Sequence, residues 1–111
     1  MTWTPDTLFE ICCYGSPDCP WIWRPVRGWV RHPWGITREG AGIQVLHHIP
    51  TGSMVPAGRM ASLHAAQALA DRLNRLEIDW SSDTTEEILG QLKRRDLMLE
   101  YHELVPQMAA I

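Results

Sequence analysis

The amino-acid sequence predicts an α+β fold: a small antiparallel sheet packed against an amphipathic helix, with a helical C-terminal arm. Three observations carry that expectation. Seven of eight glycines and six of eight prolines fall between Gly15 and Gly58, so this stretch is built of turns and short strands. Within it, Ile43–Ile49 alternates as a strand does. From Arg59 onward only Gly90 and Pro106 interrupt, and apolar residues recur at helical spacing. With 111 residues, 45% of them hydrophobic and 21% charged, the chain has the size and composition of a single globular domain over residues 1–111.

At the N-terminus, Thr4-Pro5-Asp6 carries the chemistry of a helix start. Thr suits the N-cap, Pro the first helical position, and an early Asp the helix dipole. Leu8, Phe9, Ile11 and Cys12 would be its buried side and Gly15 its end; a strand over Leu8–Tyr14 is the competing expectation.

Ile43, Val45, His47 and Ile49 share one strand face, while Gln44, Leu46 and His48 share the other. Glu39-Gly40-Ala41-Gly42 reads as a hairpin loop, which makes Trp34–Arg38 the partner strand. Ile49-Pro50-Thr51-Gly52 fits a turn, Ser53-Met54-Val55 can return as a third strand, and Val26–Arg31 can extend the sheet.

Ser62 can cap a helix running to about Leu76, with Leu63, Ala66, Leu69, Ala70, Leu73 and Leu76 on one stripe that covers the sheet. His64, Gln67, Asp71, Asn74 and Arg75 lie opposite, with Asp71 and Arg75 spaced to pair. A further helix starts near Thr84, where Thr84-x-x-Glu87 matches a capping box. Ile88, Leu89, Leu92 and Leu99 share one face of it, but Leu97, Tyr101, Leu104 and Val105 point almost the opposite way. Either the helix breaks at Lys93-Arg94-Arg95-Asp96, or one continuous helix is apolar on two sides and one side awaits a partner, which would fit a homodimer.

The net charge of −3 is unevenly spread: residues 1–70 sum to +1 and residues 71–111 to −4. The acidic part, with Asp79, Asp83, Glu86, Glu87, Glu100 and Glu103, can meet a positively charged partner, imitate a phosphate array, or serve as a solvated face. No apolar run approaches the roughly 20 residues of a membrane span. The first residues lack the marks of a signal peptide, and three cysteines is an odd number, so a reducing cytoplasm is expected.

Chemistry concentrates in one place. Four of six tryptophans and four of nine arginines lie between Trp21 and Arg38, in a stretch without an acidic residue. Trp and Arg anchor interfaces because each covers much area with few rotamers and a polar handle. Trp23, Arg24, Arg27, Trp29, Arg31 and Trp34 are therefore the candidate binding residues. Their alternatives are to stack on unpaired bases and meet phosphates, or to form core in a chain with one Phe and two Tyr. A single Lys and a negative net charge speak against a general nucleic-acid binder.

Cys12, Cys13, Cys19, His32, His47 and His48 raise the possibility of a small zinc-stabilised module, but the spacings are poor for it. Five residues separate Cys13 from Cys19, and consecutive His47 and His48 on a strand face opposite ways. There is no nucleophile elbow, no phosphate-binding Gly loop and no His-Glu-x-x-His, so neither an enzyme nor a cofactor is expected.

The span Gly42–Trp80 combines a strand ending His48-Ile49-Pro50-Thr51-Gly52, a loop, an Ala/Leu-rich helix and Ile78-Asp79-Trp80. In this it resembles small proteins carried by bacterial phages and conjugative elements. The resemblance implies a non-enzymatic inhibitor of host defence, of the anti-CRISPR type, whose partner is a host protein or a protein–nucleic-acid complex. It carries over no site residue. The function expected is stoichiometric protein binding, with single-stranded nucleic-acid binding through residues 21–38 as the alternative.

Overall fold

The computed structural model describes residues 2–14 and 21–101. Five strands run in chain order across one antiparallel sheet: β1 (Thr4–Tyr14), β2 (Trp21–Arg31), β3 (Trp34–Arg38), β4 (Gln44–His48) and β5 (Ser53–Met60). Two helices follow, α1 (Leu63–Asn74) and α2 (Thr85–Arg94). The α+β architecture expected from the sequence is present, with strands outnumbering helices.

The N-terminal helix is not. Thr4–Tyr14 is a strand, paired with β2 from Thr7↔Gly28 to Tyr14↔Trp21. The cap-like Thr-Pro-Asp forms an irregularity in that strand: the register shifts between Thr4 and Thr7, Asp6 adopts φ 49°, and Thr7 Oγ1 donates to the Pro5 carbonyl at 3.0 Å. Local helix-start chemistry loses here to a long ladder with a neighbouring strand.

The central hairpins follow the sequence closely. Trp34↔His48 and Arg38↔Gln44 bracket the β3–β4 pairing, closed by Glu39 N–H donating to the Ile43 carbonyl at 2.7 Å. Alternation sends Trp34, Ile36, Leu46 and His48 to the face that α1 covers. Gly35, Thr37, Val45 and His47 go to the other face, where Phe9 from β1 takes the place of a helix. Its ring lies 5.9 Å from that of His47 and fills the space a side chain at Gly35 would need. Phe9 belongs to a strand three places from β4, so this contact requires strong coiling of the sheet. Coiling brings β1 to the last hairpin, where Cys12 N–H donates to the Gly52 carbonyl at 2.8 Å.

Ser62 caps α1, its hydroxyl accepting from Ala65 N–H at 3.1 Å, and Ala65, Ala66, Leu69, Ala70 and Leu73 are buried. Thr84 caps α2 in the same way through Glu87 N–H at 3.3 Å, and Ile88 and Leu92 complete the core. The loop between the helices is pinned to both of them through adjacent Asp79 and Trp80. Trp80 Nε1 donates to the Leu73 carbonyl at 3.0 Å, an acceptor at the end of α1 that Leu76 N–H also reaches at 3.0 Å. Gln91 donates to the Asp79 carbonyl and accepts from Asp79 N–H.

Of the two alternatives for the C-terminal helical region, the break is the one found. Asp96 has φ 56°; its N–H donates to the Lys93 carbonyl at 3.1 Å, and Leu97 N–H donates to Leu92 at 2.8 Å. This is a Schellman motif with Asp in the left-handed position usually held by Gly. The chain resumes helical geometry at residues 98–101, and Leu97 and Tyr101 pack on the core. Their apolar face therefore needs no second copy, which removes the argument for a homodimer drawn from Leu97 and Tyr101; Leu104 and Val105 lie outside the described residues.

Candidate protein-binding surface

The structure divides the six candidate residues into two groups of three. Trp34 is fully buried: its Nε1 donates to Asn74 Oδ1 at 2.8 Å, and its ring packs against Trp80 and His48. Trp29 is half-buried against the same core. Arg31 is paired with Asp71 of α1 and lies 4.7 Å from the Trp3 ring centroid. These three hold β2 and β3 to the helix and are corrected here from interface to structure. The cause is register: Trp29↔Ile36 and Arg31↔Trp34 place them on the face that α1 covers. Asp71 is thus engaged by Arg31 across 40 residues of chain rather than by Arg75 on its own helix.

Trp23, Arg24 and Arg27 belong to the part of β2 that extends past β3 and pairs only with β1. All three are exposed, Trp23 by 52%. One edge of its indole rests on the β4–β5 turn at Gly52, where φ is +71° and a side chain would collide with the ring. Arg27 sits 3.7 Å from the Asp6 carboxylate, both solvated. Around them the structure adds residues that the sequence reading did not select: Leu8, 57% exposed opposite Arg27; Trp21, 68% exposed; and Ile22. A helix here would bury Leu8, whereas the strand turns it outward. Two-residue spacing puts Trp21, Trp23 and Arg27 on one side of the hairpin.

The histidines serve the fold. His48 and His47 face opposite ways, as consecutive strand residues must. His48 is bonded to Thr51 Oγ1 at 2.8 Å through Nδ1 and to the Trp80 carbonyl through Nε2, and burial holds its pKa below the usual imidazole range. His47 Nε2 meets Thr37 Oγ1 at 2.9 Å, while its buried Nδ1 has no hydrogen-bond partner among the described residues. Burial lowers the His47 pKa from 6.5 to about 4. Cys12 and Cys13 are half-buried free thiols, and Cys19 lies outside the described residues. Among the described residues no group of three His, Cys, Asp or Glu side chains is placed to hold a metal ion. No helix among them is long and apolar enough to cross a membrane.

Comparison with protein-family models, curated proteins and solved structures returns no match.

Proposed function

We propose that this protein is non-enzymatic and acts by stoichiometric binding of another protein through the outer side of the β1–β2 hairpin. The observation that carries this reading is a pair of indoles, Trp21 and Trp23, each more than half exposed on one strand face that also carries Arg27 and Leu8. Large exposed apolar groups grouped on a rigid element mark interaction sites, because their burial on binding is favourable and little ordering entropy opposes it.

Charge favours a protein over a nucleic acid as the occupant. Asp6 and Glu10 on β1 offset Arg24 and Arg27 on β2, and Arg31 is engaged by Asp71. A nearly neutral aromatic patch neutralises few phosphates. The likeness of residues 42–80 to mobile-element proteins makes a bacterial defence complex the first class of target to examine.

The test is capture of the tagged protein from bacterial lysate with and without nuclease. A nuclease-resistant protein recovered in stoichiometric amount supports the reading. Recovery of DNA or RNA alone, lost on nuclease treatment, overturns it in favour of nucleic-acid binding.

A further inference from the structure

On the opposite part of the molecule from the sheet's Phe9 face, the β4–β5 hairpin and the two helices enclose an open cavity of about 280 Å³. Trp34 and Leu92 form its fully buried floor, Trp80 and Tyr101 its half-buried walls, and Met54 and Leu89 its exposed rim. Among the described residues no Asp, Glu, Lys or Arg lines it, and both ring nitrogens of His48 are already bonded to the protein. The interior is therefore suited to an uncharged, bulky apolar group. In size it sits at the small end of ligand pockets, with room for one large side chain.

The segment that supplies the α2 and C-terminal walls is acidic. Residues 77–101 hold seven acidic side chains against three basic ones. Two of the bases are taken by neighbours, Arg94 by Glu87 at 3.2 Å and Arg95 by Glu77 at 3.4 Å. Exposed Asp83 and Glu86 flank Thr85, and exposed Glu100 precedes Tyr101; Thr85 and Tyr101 both line the cavity. Lys93, beside Leu92 on α2, and exposed Arg72, beside Leu73 on α1, are bases that also adjoin lining residues, and they leave the balance acidic. Such a rim repels phosphate-bearing partners and attracts cations.

We propose that this acid-rimmed cavity is a docking groove for a cationic amphipathic segment of a partner protein, which seats one bulky apolar side chain between Met54 and Leu89 with Lys or Arg on either side. The groove is a second surface, and the inference does not rest on the β1–β2 reading. Apolar burial supplies affinity, and the acidic rim selects the partner and its orientation.

The probes are fluorescein-labelled helical peptides of leucine and lysine, the matched leucine–glutamate peptides, and lysine–glycine peptides, titrated by fluorescence anisotropy. The leucine–lysine peptide is expected to bind, and the leucine–glutamate peptide about tenfold more weakly or not at all. Leu89→Gln and Met54→Gln, both at the exposed rim and checked for native circular dichroism, are expected to weaken binding about fivefold or more. Asp83→Lys with Glu86→Lys is expected to weaken it and flatten its salt dependence. Absence of leucine–lysine binding overturns the proposal, as do equal binding of the two leucine peptides or indifference to both rim substitutions. Equal binding of the lysine–glycine peptide would reduce the effect to surface charge and also overturn it. Self-association in sedimentation that the rim substitutions abolish would assign the groove to a second copy and overturn it equally.

Discussion

Trp34 Nε1 donates to Asn74 Oδ1 across 2.8 Å, joining the first residue of β3 to the last residue of α1. The indole is fully buried, so in the folded protein its N–H depends on this acceptor. Asn74→Ala is expected to destabilise the fold by about 1–3 kcal/mol, the cost of an orphaned buried donor. Trp34→Ala adds loss of a large core side chain and is expected to cost about 3–5 kcal/mol. Urea denaturation of the two variants checks both figures.

Arg31 and Arg27 stand four residues apart on the same strand yet differ in role. The Arg31 side chain is 16% exposed, paired with Asp71 and stacked near Trp3, whereas that of Arg27 is 60% exposed beside a solvated Asp6. Arg31→Ala is expected to cost about 1–2 kcal/mol, combining a partly buried ion pair with a cation–π contact. Arg27→Ala is expected to change stability by no more than about 0.5 kcal/mol. Thermal melts at low and high salt separate the two.

His47 makes the fold sensitive to acid. Its pKa is lowered from 6.5 to about 4 by burial, so between these values the unfolded chain binds a proton that the folded chain does not. Stability from this group is therefore complete above pH 6.5 and is lost as the pH falls toward about 4. A difference of that size is worth roughly 3 kcal/mol. The slope of unfolding free energy against pH in this window is expected to be shallower in His47→Gln than in the wild type. Equal slopes would place the acid sensitivity elsewhere.

Asp96 holds the left-handed position that ends α2. Asp tolerates this conformation better than most residues, but glycine tolerates it without a Cβ penalty. Asp96→Gly is expected to stabilise the protein by about 0.5–1 kcal/mol, read as a shift of the urea midpoint at constant slope.

Much of this architecture was legible in the sequence, for physical reasons that vary by element. β3 and β4 and α1 declare themselves because their periodicity and their caps agree: Val45/His47 against Leu46/His48, and Ser62 ahead of the Leu69 and Leu73 stripe. The N-terminal strand was obscured because Thr4-Pro5-Asp6 has the same composition whether it starts a helix or kinks a strand, and only the distant partner β2 decides. The division of the Trp/Arg segment was illegible for a related reason. Alternation assigns faces, but nothing local states that β3 stops pairing at Trp29 and leaves Trp21–Arg27 beyond the reach of α1. The Asp96 stop was signalled by the conflict of faces between Leu92 and Leu97, although Asp in place of Gly concealed the motif.

The most direct test of binding through the β1–β2 hairpin compares wild type with Trp21→Ala/Trp23→Ala/Arg27→Glu in quantitative capture from nuclease-treated bacterial lysate, with folding matched by circular dichroism and thermal midpoint. The expected result is a stoichiometric protein partner held by the wild type and lost by the variant, at nearly unchanged stability. Equal recovery of that partner by both proteins would contradict binding through this face.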